Sequence, residues 1–136
     1  MKILCVGDVC GSAGCTVFED TALILKREFG ADLIIVNGEN SADGNGVIPY
    51  SANRLFNGGA DIITGGNHTL RRYEIHPELE SNSRLLRPHN FPANSPGSGY
   101  ALIDCGRLSV AVINLLGTVY MESNFCPFCC ADALFE

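Results

Sequence analysis

The sequence lacks any apolar run near the roughly 20 residues needed to cross a bilayer. Its apolar start, Ile3 to Val6, is interrupted by Asp8 and has no cleavage-site pattern, so it reads as a strand rather than a signal peptide. Basic residues are few: nine Lys and Arg stand against fifteen Asp and Glu, for a net charge of −6. That balance argues against a surface built to hold nucleic-acid phosphates, which needs clustered Lys and Arg. It leaves small phosphate substrates open, because metal ions can supply positive charge. Internal repeats and low-complexity tracts are absent, and histidine is limited to His68, His76 and His89.

Cysteine, by contrast, is plentiful and odd in number, at positions 5, 10, 15, 105, 126, 129 and 130. Without a secretion signal these read as reduced thiols of a cytoplasmic protein, most of them small buried or incidental side chains. Cys126-Pro127-Phe128-Cys129 has the spacing of a redox pair or half a zinc site, and no second such pair supplies the other half. With 136 residues, 46 % hydrophobic and 18 % charged, the chain has an ordinary globular composition and fits one domain or part of a larger one.

Three short apolar runs end abruptly in polar residues: Ile3–Val6 before Gly7-Asp8, Leu33–Val36 before Asn37-Gly38-Glu39-Asn40, and Ile62–Thr64 before Gly65-Gly66-Asn67-His68. Their β-branched content and glycine stops predict buried strands. Between the first two, Phe18, Ala22, Leu25 and Phe29 share one helical face, with Gly30 at the C-terminal cap. A shorter helix follows Pro49 and Ser51 and stops at Gly58-Gly59. Strand, helix, strand at this spacing predicts an α/β fold of parallel βαβ units. Residues 88–99, rich in Pro, Asn, Ser and Gly, predict a loop. Tyr100–Cys105 and Leu108–Leu115, joined by Gly106-Arg107, predict a β-hairpin with a Gly-first turn. The tail from Met121 to Glu136 predicts a loop and then the first residues of a helix.

Ligands of parallel α/β sheets bind outside the carboxyl ends of the strands. Those ends present Asp8, then Glu39 and Asn40, then Asn67 and His68, all residue types that ligate divalent metals. Singly, Asp8 also reads as a helix N-cap, Glu39 and Asn40 as loop polar groups, and Asn67 and His68 as turn-bonding residues. Gly7, Gly11 and Gly14 do not match the G-x-G-x-x-G of a dinucleotide fold.

In this order, Gly7-Asp8-Val9-Cys10-Gly11-Ser12-Ala13-Gly14, Asn37-Gly38-Glu39-Asn40 and Gly66-Asn67-His68-Thr69 resemble the YmdB-like metallophosphoesterases of the calcineurin-like superfamily. Leu86–Pro92, Pro96–Gly99 and Val112–Gly117 extend the resemblance over essentially the whole chain. It implies the N-terminal part of a layered α/β metallophosphoesterase sandwich, with residues 1–136 a partial domain lacking the C-terminal half. It further implies two metal ions, iron or manganese, and a small phosphodiester substrate such as a cyclic nucleotide. Asp8 and Asn40 would ligate the first ion, Glu39 would bridge, Asn67 would ligate the second, and His68 would protonate the leaving group.

The sequence departs from the family where three further histidine ligands, including a Gly-Thr-His-Thr-His motif, have no counterpart, and where Leu70 and Arg71 replace Trp and Asp. An incomplete site of this kind implies impaired hydrolysis, or a non-catalytic nucleotide- or metal-binding module as the alternative. A third reading gives Cys126 and Cys129 a thiol-redox role. Half a sandwich would also leave one sheet face uncovered, which leaves association, as in a homo-oligomer, or instability as the expectation. His76 is expected at the surface, and Arg54, Arg71, Arg72, Arg84 and Arg87 are expected to be solvated, except that the Arg87 loop adjoins the site.

Overall fold

The computed structural model describes residues 1–121 and 125–135. The part of the expected tail loop at 122–124, and residue 136, lie outside the described residues. Strands β1 (Ile3–Val6), β2 (Leu33–Asn37), β3 (Ile62–Thr64) and β4 (Leu85–Leu86) form one parallel sheet in the order β1-β2-β3-β4. Helix α1 (Gly11–Phe29) connects β1 to β2, and α2 (Pro49–Asn57) connects β2 to β3. A 3-10 turn (Tyr73–Ile75) and α3 (His76–Ser81) lead to β4. Strands β5 (Tyr100–Asp104) and β6 (Ser109–Ile113) form a separate antiparallel pair, and α4 (Pro127–Phe135) follows.

The sheet has two covers because side chains alternate across it. On the helix side, Ile34, Val36, Ile63 and Leu85 pack with Phe18, Ala22 and Leu55. On the other side, Ile62 and Leu86 pack under Ala101 and Val112 of the hairpin. Burying Ile62 or Ile63, both fully buried, contributes about 2–3 kcal/mol each. The hairpin does not reach β1. Cys5 lies in the row Cys5–Ile35–Ile62, yet Cys5 and Ile3 are exposed.

Helix α1 ends as its sequence predicts, with Gly30 left-handed at φ +60° and the Ala31 N–H donating to the Lys26 carbonyl at 2.8 Å. Its buried face differs from the expected one. Cys15, Phe18 and Ala22 are buried, but Phe29 is 56 % exposed, on an open groove beside Ile3 and Leu4 of edge strand β1. Helix α2 starts where Ser51 Oγ accepts the Ile48 N–H at 3.1 Å. The two helices are joined by Arg54, whose Nε donates to Glu19 Oε1 at 2.9 Å and whose Nη2 donates to Thr16 Oγ1 at 2.8 Å. Arg54 is therefore committed to an ion pair, not free in solvent. Its hydrogen bond holds the Glu19 carboxyl below the usual range. A lowered carboxyl stabilises the fold above the ordinary Glu range, near pH 4.3, and that contribution is lost as pH falls through the lowered value. Glu19→Gln is expected to flatten the acid limb of a Tm-against-pH curve. An acid limb as steep as that of the parent would show that the pair contributes nothing.

The hairpin turn has Gly106 at φ +81° in its first central position, and the Cys105 N–H donates to the Leu108 carbonyl at 2.9 Å. The regular strands are shorter than predicted, ending at Asp104 and Ile113. Among the cysteines only Cys15 is buried, Cys130 is half-buried and the other five are exposed. His76 is half-buried against Tyr73, with ring centroids 5.0 Å apart, rather than at the surface.

Candidate metal and phosphate site

Each predicted site residue lies at the carboxyl edge of the parallel sheet, where three strands give way to loops. Asp8 follows β1 and is exposed. It is not the N-cap of α1, a position held by Cys10. Asn40 turns its amide toward Asp8, donating from Nδ2 to both carboxylate oxygens at 2.9 and 3.0 Å. The Asn40 Oδ1 lies 2.6 Å from His68 Nδ1. Glu39 Oε2 accepts the His68 backbone N–H at 3.1 Å. Asp8, Glu39, Asn40 and His68 are thus one hydrogen-bonded group drawn from three strand ends. Asn67 shares the edge, between Gly66 and His68, but not the hydrogen-bond chain.

The turns that hold these groups follow from their sequences. Asn37 Oδ1 accepts the Glu39 N–H at 3.1 Å, an Asx-type turn that starts the loop after β2. Thr69, fully buried, accepts the Gly66 N–H at 2.7 Å and donates to the Gly66 carbonyl at 2.8 Å, locking the turn after β3. Gly66 has a steric role as well. A Cβ there would overlap the Glu39 carboxylate, so glycine lets that carboxylate lie against the backbone.

Two groups at this edge were not assigned from sequence. Asn114, just after β6, donates from Nδ2 to the Gly65 carbonyl at 3.0 Å and to the Leu86 carbonyl at 3.1 Å, tying the hairpin to the ends of β3 and β4. The signal was available, since an apolar strand ending in Asn repeats the pattern of the other strand ends. Arg87 follows β4 directly. It is buried, and its Nη1 donates to the Pro88 and His89 carbonyls at 2.8 and 3.3 Å. Burial lowers its pKa. The loop does adjoin the edge as expected, but its guanidinium braces that loop instead of facing solvent. Arg71 is exposed.

The donor chemistry suits a hard cation. Among the described residues, neither the Asp8 nor the Glu39 carboxylate is paired with Lys or Arg. A carbonyl oxygen has two lone pairs, so Asn40 Oδ1 can accept from His68 and still face an ion. The set is nevertheless small. Among the described residues no group of three His, Cys, Asp or Glu side chains is placed to hold a metal. A groove of about 390 Å³ opens beside Asp8 along α1, but its walls are mainly apolar, with Val6, Val17, Phe18 and Leu25 among them. It is open space next to the edge strand, not a phosphate cradle.

A parallel βαβ sheet with carboxylate, amide and imidazole groups at its carboxyl edge is a scaffold of the phosphatase type. The chain belongs to the YmdB-like family, whose model matches residues 4–136, within the metallophosphoesterase superfamily. It is 38 % identical over 134 residues to a 2',3'-cyclic-nucleotide 2'-phosphodiesterase of Bacillus subtilis, covering 98 % of this chain and 51 % of that protein. Its fold is similar to a hypothetical protein of Thermus thermophilus (TM-score 0.91, 30 % identity, 98 % of this chain and 52 % of that one). It is also similar to a structure described as a novel phosphatase from Mycoplasma pneumoniae (TM-score 0.90, 29 % identity, 98 % and 50 %). The chain therefore spans about half the length of these relatives. Among the described residues no helix is long and apolar enough to cross a membrane.

Proposed function

We propose that this chain carries one part of a metal-dependent phosphodiesterase site acting in the cytoplasm on small cyclic nucleotides, the substrate class named for the Bacillus subtilis relative. In this reading the chain, which spans about half the length of its relatives, supplies part of the domain, and hydrolysis by it alone is impaired. The observation that carries the reading is the hydrogen-bonded group of Asp8, Asn40 and His68, with Glu39 pinned beside it.

In this reading Asp8 and Asn40 would hold a first ion, Asn67 would hold a second and Glu39 would serve both, the metals being iron or manganese. Bound ions would neutralise phosphate charge and activate water for attack on phosphorus. His68 holds the proton of the reaction. As the imidazolium it would donate Nδ1–H to Asn40 Oδ1, which orients the ring, and would protonate the departing oxygen from Nε2. The Gly66 turn presents the His68 backbone N–H to Glu39, fixing the carboxylate that would serve both ions. Exposure of Ile3 and Cys5 supports self-association over the uncovered part of edge strand β1.

The test is manganese or iron uptake together with hydrolysis of bis(p-nitrophenyl) phosphate and of a 2',3'-cyclic nucleotide. Weak, metal-dependent hydrolysis is expected, with both metal uptake and turnover lost in Glu39→Ala. A folded chain whose turnover matches that of Glu39→Ala at every metal concentration would sink the reading. It would favour a non-catalytic module.

A further inference from the structure

We propose that Cys126 and Cys129 form a redox-active dithiol whose substrate is a small disulfide, a site separate from the metal edge. Four observations place it. Cys126 immediately precedes the nine-residue helix α4, with Pro127 as its first residue. The Cys126 carbonyl accepts the Cys130 N–H at 3.0 Å, so Cys126 and Cys129 are one helical turn apart. Side chains at that spacing lie on one face about 5–6 Å apart at Cβ, close enough for side-chain rotation and a small local adjustment to close an S–S bond. Both thiols are exposed, whereas Cys15 is buried.

The pair is also anchored. Fully buried Asn90 donates from Nδ2 to the Phe125 carbonyl at 2.9 Å, and the Phe125 N–H donates back to the Asn90 carbonyl at 3.0 Å. The same amide donates to the Leu116 carbonyl at 2.8 Å and accepts the Leu116 N–H at 2.9 Å. Cys126 is thus held, one residue away, to the loop that follows β4. The two sulfurs differ in character. The backbone N–H groups of Cys129 and Phe128, then the Cys129 thiol, donate to the Cys126 sulfur and lower its pKa. The hydrogen bond to Cys126 raises that of Cys129. Cys126, set just before the first turn of α4 where free backbone N–H groups favour a thiolate, is the attacking thiolate and Cys129 the resolving thiol.

The reaction balances as an exchange. The Cys126 thiolate attacks one sulfur of the small disulfide, breaks its S–S bond and releases one thiolate. Cys129, giving up its proton to solvent, then attacks Cys126 in the mixed disulfide and expels the second thiolate. The protein dithiol loses two electrons and the small disulfide gains them.

The test equilibrates the full chain with reduced and oxidised glutathione, alkylates the free thiols and maps them by mass spectrometry. The free-thiol count is expected to fall by two as glutathione becomes oxidising, with the new bond mapped to Cys126 and Cys129 and unchanged in Cys130→Ser. Cys129→Ser is expected to trap glutathione on Cys126, and Cys126 to be alkylated several-fold faster than exposed Cys105 at neutral pH. Oxidation that links other cysteines, or a Cys129→Ser chain that carries no more glutathione on Cys126 than on Cys105, would overturn the proposal. Because the readout is thiol state, the result stands whether or not the metal edge hydrolyses anything.

Discussion

Gly66→Ala is expected to cut phosphodiester hydrolysis about a hundredfold or more while leaving the folded chain nearly as stable as the parent. A methyl group at position 66 would overlap the Glu39 carboxylate. That carboxylate is the free end of a flexible side chain, so it moves aside and the backbone does not have to. Strain is thereby relieved cheaply, but the oxygen that accepts the His68 N–H is displaced. Displacing a catalytic group by about 1 Å costs on the order of a hundredfold in rate. Thermal unfolding beside metal-dependent kinetics separates the two effects. A variant with parental turnover would show that the position of Glu39 is immaterial, and with it the assigned bridging role would fail. The neighbouring glycine makes a contrast. A Cβ at Gly65 would collide with Thr69, whose hydroxyl locks the turn, so substitution there disturbs the fold as well as the site.

Leu55→Ala is expected to lower stability by about 3 kcal/mol, within the range for truncating a buried leucine. Leu55 is fully buried on α2, in the cluster with Phe18, Val36 and Ile63 that joins both helices to the sheet. For a chain of this size that loss lowers Tm by about 10 °C. Denaturant unfolding of Leu55→Ala beside Ile24→Ala checks it. Ile24 is 53 % exposed, so its truncation should change stability by less than about 0.5 kcal/mol. Equal losses in the two variants would mean that the core lies elsewhere. Stability loss at Leu55 would also loosen the loop after β2, because Gly38 packs against Leu55 and Ile63 just before Glu39.

Much of this architecture was legible in the order of residues. The first three strands, both βαβ helices, the Gly30 cap and the Gly106 turn each announce themselves within a few residues, through periodicity or a backbone conformation that glycine adopts freely. The polar residues of the candidate site were legible for the same reason. In parallel sheets the strand ends are the ligand-binding edge, so Asp8, Glu39, Asn40, Asn67 and His68 could be named from where apolar runs stop.

Other features depend on partners far along the chain. Strand β4 has two residues, too few to show a period, and exists because Leu85 and Leu86 pair with Ile63 and Thr64. Phe29 belongs to the right helical face but stays exposed, on an open groove beside Ile3 and Leu4 of edge strand β1. Asn114 and Asn90 are ordinary loop amides until folding brings Gly65, Leu86, Leu116 and Phe125 within hydrogen-bonding distance of them. By itself the sequence determined which residues stand at the carboxyl edge, because strand ends are local events. Only the tertiary structure decided which of them touch, since the links among Asp8, Asn40, Glu39 and His68 span 28 to 32 residues and depend on the stacking order of the strands.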